Sequence, residues 1–135
     1  MAALIQMPAQ VRAQPAAFQT KEPVVQAEAF WSATGVKPGG EITLALVLDI
    51  RKPYHINPNV TKEPFIPTTV EIVDAPIELR SSTPIFPEPE MIDFGTGAAK
   101  ERIPVFSGRC VLYLPMAVTG SLKPGEHEIK IKVGY

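Results

Sequence analysis

The sequence predicts an all-β chain of short strands, and three observations carry that prediction. From Glu41 to Ile50 the residues alternate with period two. Ile42, Leu44, Leu46, Leu48 and Ile50 point one way and Thr43, Ala45, Val47 and Asp49 the other, as successive side chains of an extended strand do. Fifteen prolines spread over 135 residues exclude long helices, because each lacks an N–H and clashes inside a helix. Turn chemistry brackets the apolar runs. Lys37-Pro38-Gly39-Gly40 places proline and then glycine at the two centres of a type II turn, where glycine takes the positive φ.

The elements follow in order. Residues Met1 to about Lys21 are rich in Ala, Gln and Pro, and Leu4 and Ile5 are too few for the apolar region of a signal peptide. The expectation is a processed or disordered leader over 1–22 and one sandwich domain over 23–135. Val24 to Trp31 alternates with poorly distinguished faces and reads as an outer strand. The long core strand at 41–50 follows. Tyr54 to Asn59 is extended but not a central strand, since Pro58 has no N–H to donate. Thr68 to Val73 is a β-branched strand, and Pro76 to Leu79 is a short one. Ser81 to Ala99, broken by three prolines and two glycines, reads as a long loop of the kind that carries function. Ile103 to Phe106 leads to Arg109–Val118, where Cys110, Leu112, Leu114 and Met116 share a face. Leu122-Lys123-Pro124-Gly125 repeats the earlier turn device, and Glu126 to Val133 sets Ile129, Ile131 and Val133 inward with Glu128, Lys130 and Lys132 in solvent. Seven to nine short strands at this spacing predict an immunoglobulin-like β-sandwich.

Composition bounds the function. Thirteen basic and fourteen acidic residues are interspersed, for a net charge of −1, and no basic face is available to neutralise phosphates, which argues against nucleic acid. No apolar run approaches the roughly 20 residues of a bilayer span. The lone cysteine, Cys110, falls mid-strand among aliphatics with no second sulfur to resolve a mixed disulfide, and reads as a small buried hydrophobe. His127 lies among Glu126 and Glu128 at a strand start. His55, between Tyr54 and Ile56, is partly buried or a ligand. No metal site is expected, because no three or four ligands converge, and no cofactor is expected either. The run Glu88-Pro89-Glu90-Met91-Ile92-Asp93-Phe94-Gly95 admits two readings. One is a solvated acidic loop whose aromatic tucks onto the sandwich. The other is a flap with an apolar tip over a site at the sandwich end.

Four stretches taken in order resemble a known family: VKPGGEITLALVLDI with the following PYHIN, then MIDFGTG, then VFSGRCVLYLPMAV, then HEIKIKVGY. Over roughly Val24 to Tyr135 the chain resembles the N-terminal periplasmic domain of the thiol:disulfide interchange protein DsbD family. The resemblance implies an immunoglobulin-like sandwich that relays electrons from a membrane-embedded redox domain to periplasmic thioredoxin-like or disulfide-bearing proteins. It implies a cap formed by Asp93, Phe94 and Gly95, and a site-adjacent aromatic segment of Tyr54, His55 and Asn57, with Tyr135 at the far end. The family's two redox cysteines fall just after the position matching Gly134-Tyr135, and neither is present here. The expectation is a piece cut short of its active loop, or a relative that keeps the sandwich without the chemistry. The alternative, from a different class, is a non-enzymatic binding or adaptor module of a cell-envelope protein with Phe94 and the 81–99 loop as its contact surface.

Overall fold

The alternation of 41–50 becomes the centre of the protein. In a computed structural model, which describes residues 5–6 and 23–135, Glu41–Ile50 forms one ten-residue strand, β3. Its aliphatics Ile42, Leu44, Leu46, Leu48 and Ile50 are all buried, and the residues between them are not. The leader expected over 1–22 lies outside the described residues except for strand β1 (Ile5–Gln6).

The described chain is all-β, with open antiparallel sheets and a single turn of 3-10 helix. β3 is flanked by β2 (Val25–Trp31) on one side and β8 (Gly108–Val118) on the other, and β5 (Leu79–Ser81) closes the order β2-β3-β8-β5. β2 is an outer strand, as its weak facial contrast predicts. The β3–β8 ladder runs without a slip from Glu41 opposite Ala117 to Ile50 opposite Gly108. Because direct partners share a face, Cys110, Leu112, Leu114 and Met116 meet the β3 aliphatics on one buried side.

Three smaller pairings complete the chain. β4 (Thr69–Asp74) pairs with β10 (Lys130–Gly134), and Val70, Ile72, Ile131 and Val133 pack against the core. β6 (Glu90–Phe94) and β7 (Glu101–Val105) form an antiparallel hairpin. β1 lies parallel to β9 (Gly125–Glu126).

Four details depart from the sequence reading. The 81–99 segment is not all loop: its second half is β6, continuing into the 3-10 turn Gly97–Ala99. The short strand expected at Pro76 to Leu79 begins at Leu79 instead, because Pro76 accepts the Leu79 N–H in a turn. The first Pro-Gly corner forms as expected: Gly39 sits at φ 81° and the Gly40 N–H donates to Lys37 at 2.8 Å. The second does not. There the turn closes upstream, with the Leu122 N–H donating to Thr119 at 3.3 Å, since Leu122 is drawn into the core. The expected strand 126–133 is consequently broken into β9 and β10, with Ile129 buried between them.

Leu46 is fully buried at the midpoint of β3. Replacing it with alanine is expected to cost about 2–5 kcal/mol, the transfer of its methyls plus the cavity left behind. Urea unfolding followed by circular dichroism measures this; a change under about 0.5 kcal/mol, the usual range for surface sites, would contradict the placement.

Candidate functional site

A concavity lies between the segment after Tyr54 and strand β7. The two run antiparallel and touch at an isolated bridge, in which Ile56 and Phe106 exchange N–H to C=O bonds of 2.9 and 2.8 Å. Beyond the bridge they part. An ion pair between Lys62 and Glu101 spans the far end. The space between is a groove of about 480 Å³, with Asn57, Val60 and Phe65 on one wall and Arg102, Ile103 and Pro104 on the other.

Local hydrogen bonds fold the first wall back on itself. The Asn57 side-chain amide donates to the Ile66 carbonyl at 2.9 Å. The Thr68 hydroxyl donates to the Asn57 carbonyl at 2.5 Å, and the Thr68 N–H donates to Pro58 at 3.2 Å. Thr68 is the one buried polar residue among the described side chains, and these bonds satisfy it.

Alternation settles what the second wall presents. Phe106 directs its backbone toward Ile56, so Pro104 and Arg102, two and four residues earlier, direct theirs to the groove side, while Val105, Ile103 and Glu101 face β6.

The residues singled out for a cap sit where β6 ends. Phe94 is half-exposed and meets Phe65 edge-on, with ring centroids 6.2 Å apart and planes at 83°. Asp93 lies 3.7 Å from the Lys100 ammonium and 4.0 Å from the Arg102 guanidinium. These are exposed pairs that fix orientation more than they stabilise. Gly95 has φ 96°, and a Cβ there would sit 2.7 Å from the Ala99 carbonyl oxygen. The hairpin therefore turns at this glycine with no room for a side chain.

The aromatic segment divides. Asn57 lines the groove. Tyr54 and His55 precede the bridge and are exposed, and the Arg51 guanidinium lies 5.3 Å from the Tyr54 ring centre. Tyr135 is exposed next to Gly134, which pairs with Thr69, the neighbour of the Thr68 that holds Asn57. Chain end, groove wall and hairpin thus share one end of the fold.

Phe65, Lys62 and Arg102 stand out only in three dimensions. Lys100-Glu101-Arg102 offered a hint, a charge cluster just after the aromatic run: Lys100 and Arg102 pair with nearby Asp93, but the partner of Glu101, Lys62, lies 39 positions upstream and nothing local marks it.

The groove lining contains no cysteine, histidine or carboxylate. Cys110 lies elsewhere, on the core face opposite Leu48 and 4% exposed, and desolvation pushes its thiol from 9.0 to about 11. Among the described residues no three of His, Cys, Asp and Glu converge as metal ligands, and no helix is long and apolar enough to cross a membrane. The groove presents apolar walls with Lys62 and Arg102 at their rim, paired to Glu101 and Asp93. The chain matches no protein-family profile, no curated protein and no solved structure.

Two measurements test this arrangement. Iodoacetamide should label native Cys110 far more slowly than the unfolded chain, with a rate still climbing above pH 9, because the thiolate is the reactive form. The sign for stability follows. Burial favours the neutral thiol, so its contribution is whole below pH 9 and is lost as pH rises toward about 11. Labelling at the unfolded rate near pH 7 would contradict the burial. For the aromatic contact, a double-mutant cycle of Phe65→Ala and Phe94→Ala in urea is expected to give a coupling of about 0.5–1.5 kcal/mol, and strict additivity would place the two rings out of contact.

Proposed function

We propose that this chain is the scaffold of an immunoglobulin-like domain of the thiol:disulfide interchange type, with the Phe94 hairpin as its cap. Packing of Val70, Ile72, Ile131 and Val133 onto the core of the four-stranded sheet supports a two-layer sandwich in which β4 and β10 belong to the second layer. The observation that carries the functional part is the meeting of three elements at one end: the Phe94–Phe65 contact, the groove wall at Asn57, and the close of β10 beside Thr69. A thiol pair following Tyr135 would emerge at the end of the fold that carries a half-exposed phenylalanine, one able to cover it and to swing aside for a partner.

In this reading the domain works in the periplasm. It takes electrons from a membrane-embedded redox domain and passes them to thioredoxin-like or disulfide-bearing proteins. The described residues supply recognition and shielding. Cys110 has no part, since a buried neutral thiol neither attacks a disulfide nor leaves from one.

A second reading has its own support. Val60 and Ile66 are strongly exposed, and Met91 and Phe94 half-exposed, near a groove whose lining contains no cysteine. An envelope binding or adaptor module would use that surface as it stands, without any thiol step.

The reading frame beyond Tyr135 decides between them. The redox reading expects a cysteine pair soon after Tyr135, and expects the extended protein, with one of that pair changed to serine, to trap a thioredoxin-like protein as a mixed disulfide. A stop codon or a cysteine-free continuation overturns the redox reading in favour of the adaptor.

A further inference from the structure

The outer face of the four-stranded sheet carries an apolar band that no other element among the described residues covers. Register places Phe30, Ala45, Tyr113 and Ile85 side by side across β2, β3, β8 and the bridge beside it. Phe30, Tyr113 and Ile85 are about half exposed, at 52%, 46% and 55%. Val47 beside Val111 forms a second apolar row, and Thr43 beside Pro115 a third. Charges close the band at both ends, and they are sorted by strand. Glu41 on β3 and Arg80 on β5 mark one end; Asp49 on β3, ion-paired across the ladder to Arg109 on β8 at 3.0 Å, marks the other; and Glu28 on β2 stands beside Val47 between them. The face is acidic along one half and basic along the other.

We propose that this face binds a second copy of the same chain, sheet against sheet, about a two-fold axis parallel to the strands. Such an axis lays the β2–β3 half of each copy on the β8–β5 half of the other while keeping position along the strand. Tyr113 then rests over Ala45, a large ring on a small residue, with Phe30 over Ile85 and Val47 over Val111. Asp49, already bonded to Arg109 of its own chain at 3.0 Å, also faces the partner's Arg109, and Glu41 faces the β8–β5 end that carries Arg80, so the acid at each end of β3 meets a base on both sides of the axis. The other in-plane axis, perpendicular to the strands, would set Glu41 against Asp49 and Arg80 toward Arg109, like against like, a costly arrangement. Aligned packing of two twisted sheets is an ordinary way to bury such a face.

The band measures on the order of 500 Å² per copy from strand rise and spacing. Two copies would bury about 1,000 Å², the least a specific interface needs. A reversible dimer with Kd on the order of 10–100 µM is expected from that area. This association rests on neither reading of the groove, since no residue of the band lines it.

Sedimentation velocity on the whole chain, from about 10 to about 500 µM, tests the proposal across the expected Kd. The wild type should shift from monomer to dimer over that range. Tyr113→Lys should remain monomeric throughout, with its circular dichroism and melting temperature showing that it folds. E41R should weaken association about tenfold, two repelling pairs replacing two attracting ones, and the double swap E41R/R80E should restore it. A wild type that stays monomeric at the highest concentration overturns the proposal, as does a dimer indifferent to Tyr113→Lys. Tighter association of E41R would reject the axis and with it the arrangement.

Discussion

The ladder between β3 and β8 is the constraint on which the other elements rest. Ten residues of β3 find ten partners on β8 with no bulge between them. Since direct partners share a face, one register sets both sides of the sheet at once. Shifting it by a single residue would turn the leucines of β3 to solvent and bring Asp49 inside. The buried side holds the aliphatics that exclude water and Cys110 among them; the open side holds the apolar band and its sorted charges. β2 adds to one edge of this pair and β5 to the other, and β4 with β10 packs its half-buried aliphatics against the core.

From that core the chain builds the end that carries the groove and the hairpin. Phe106, buried and stacked near-parallel to Phe86 at 6.3 Å, anchors the close of β7 where the bridge to Ile56 forms. The hairpin projects from this anchor, and its tip depends on few contacts: one aromatic edge contact and a handful of exposed ion pairs. Ile103 and Val105 bury the β7 side of the hairpin, whereas a tip held by so few contacts can reposition without disturbing the leucine core, a property that a cap over a reactive group and an adaptable docking surface would both use.

How much of this was legible in the sequence followed from how strongly each element is buried on one face. β3 and β8 announce themselves because every second residue must be apolar to fill the core. β2 is readable as an edge strand from its mixed faces. The Pro38-Gly39 corner is readable because glycine alone accepts that turn easily. The β6–β7 hairpin was read largely as loop because β6 has no buried face; only Ile92 is even half-buried, so no alternation is imposed on it. The second Pro-Gly pair misled for a related reason, as burial of Leu122 outweighed the local turn preference and moved the corner. The groove was least legible. Asn57 and Phe94 could be singled out, but Phe65, Lys62 and Arg102 gain their meaning from contacts between distant segments.

Native-state hydrogen exchange measures most directly whether the β3–β8 ladder organises the fold. The account predicts that amides of Leu44, Leu46 and Leu48 and their neighbours on β8 exchange slowest, with an opening free energy equal to that of global unfolding. Amides of the β6–β7 hairpin should exchange through smaller, local openings. Equal protection of hairpin and ladder, or β3 amides that exchange before those of the hairpin, would contradict it.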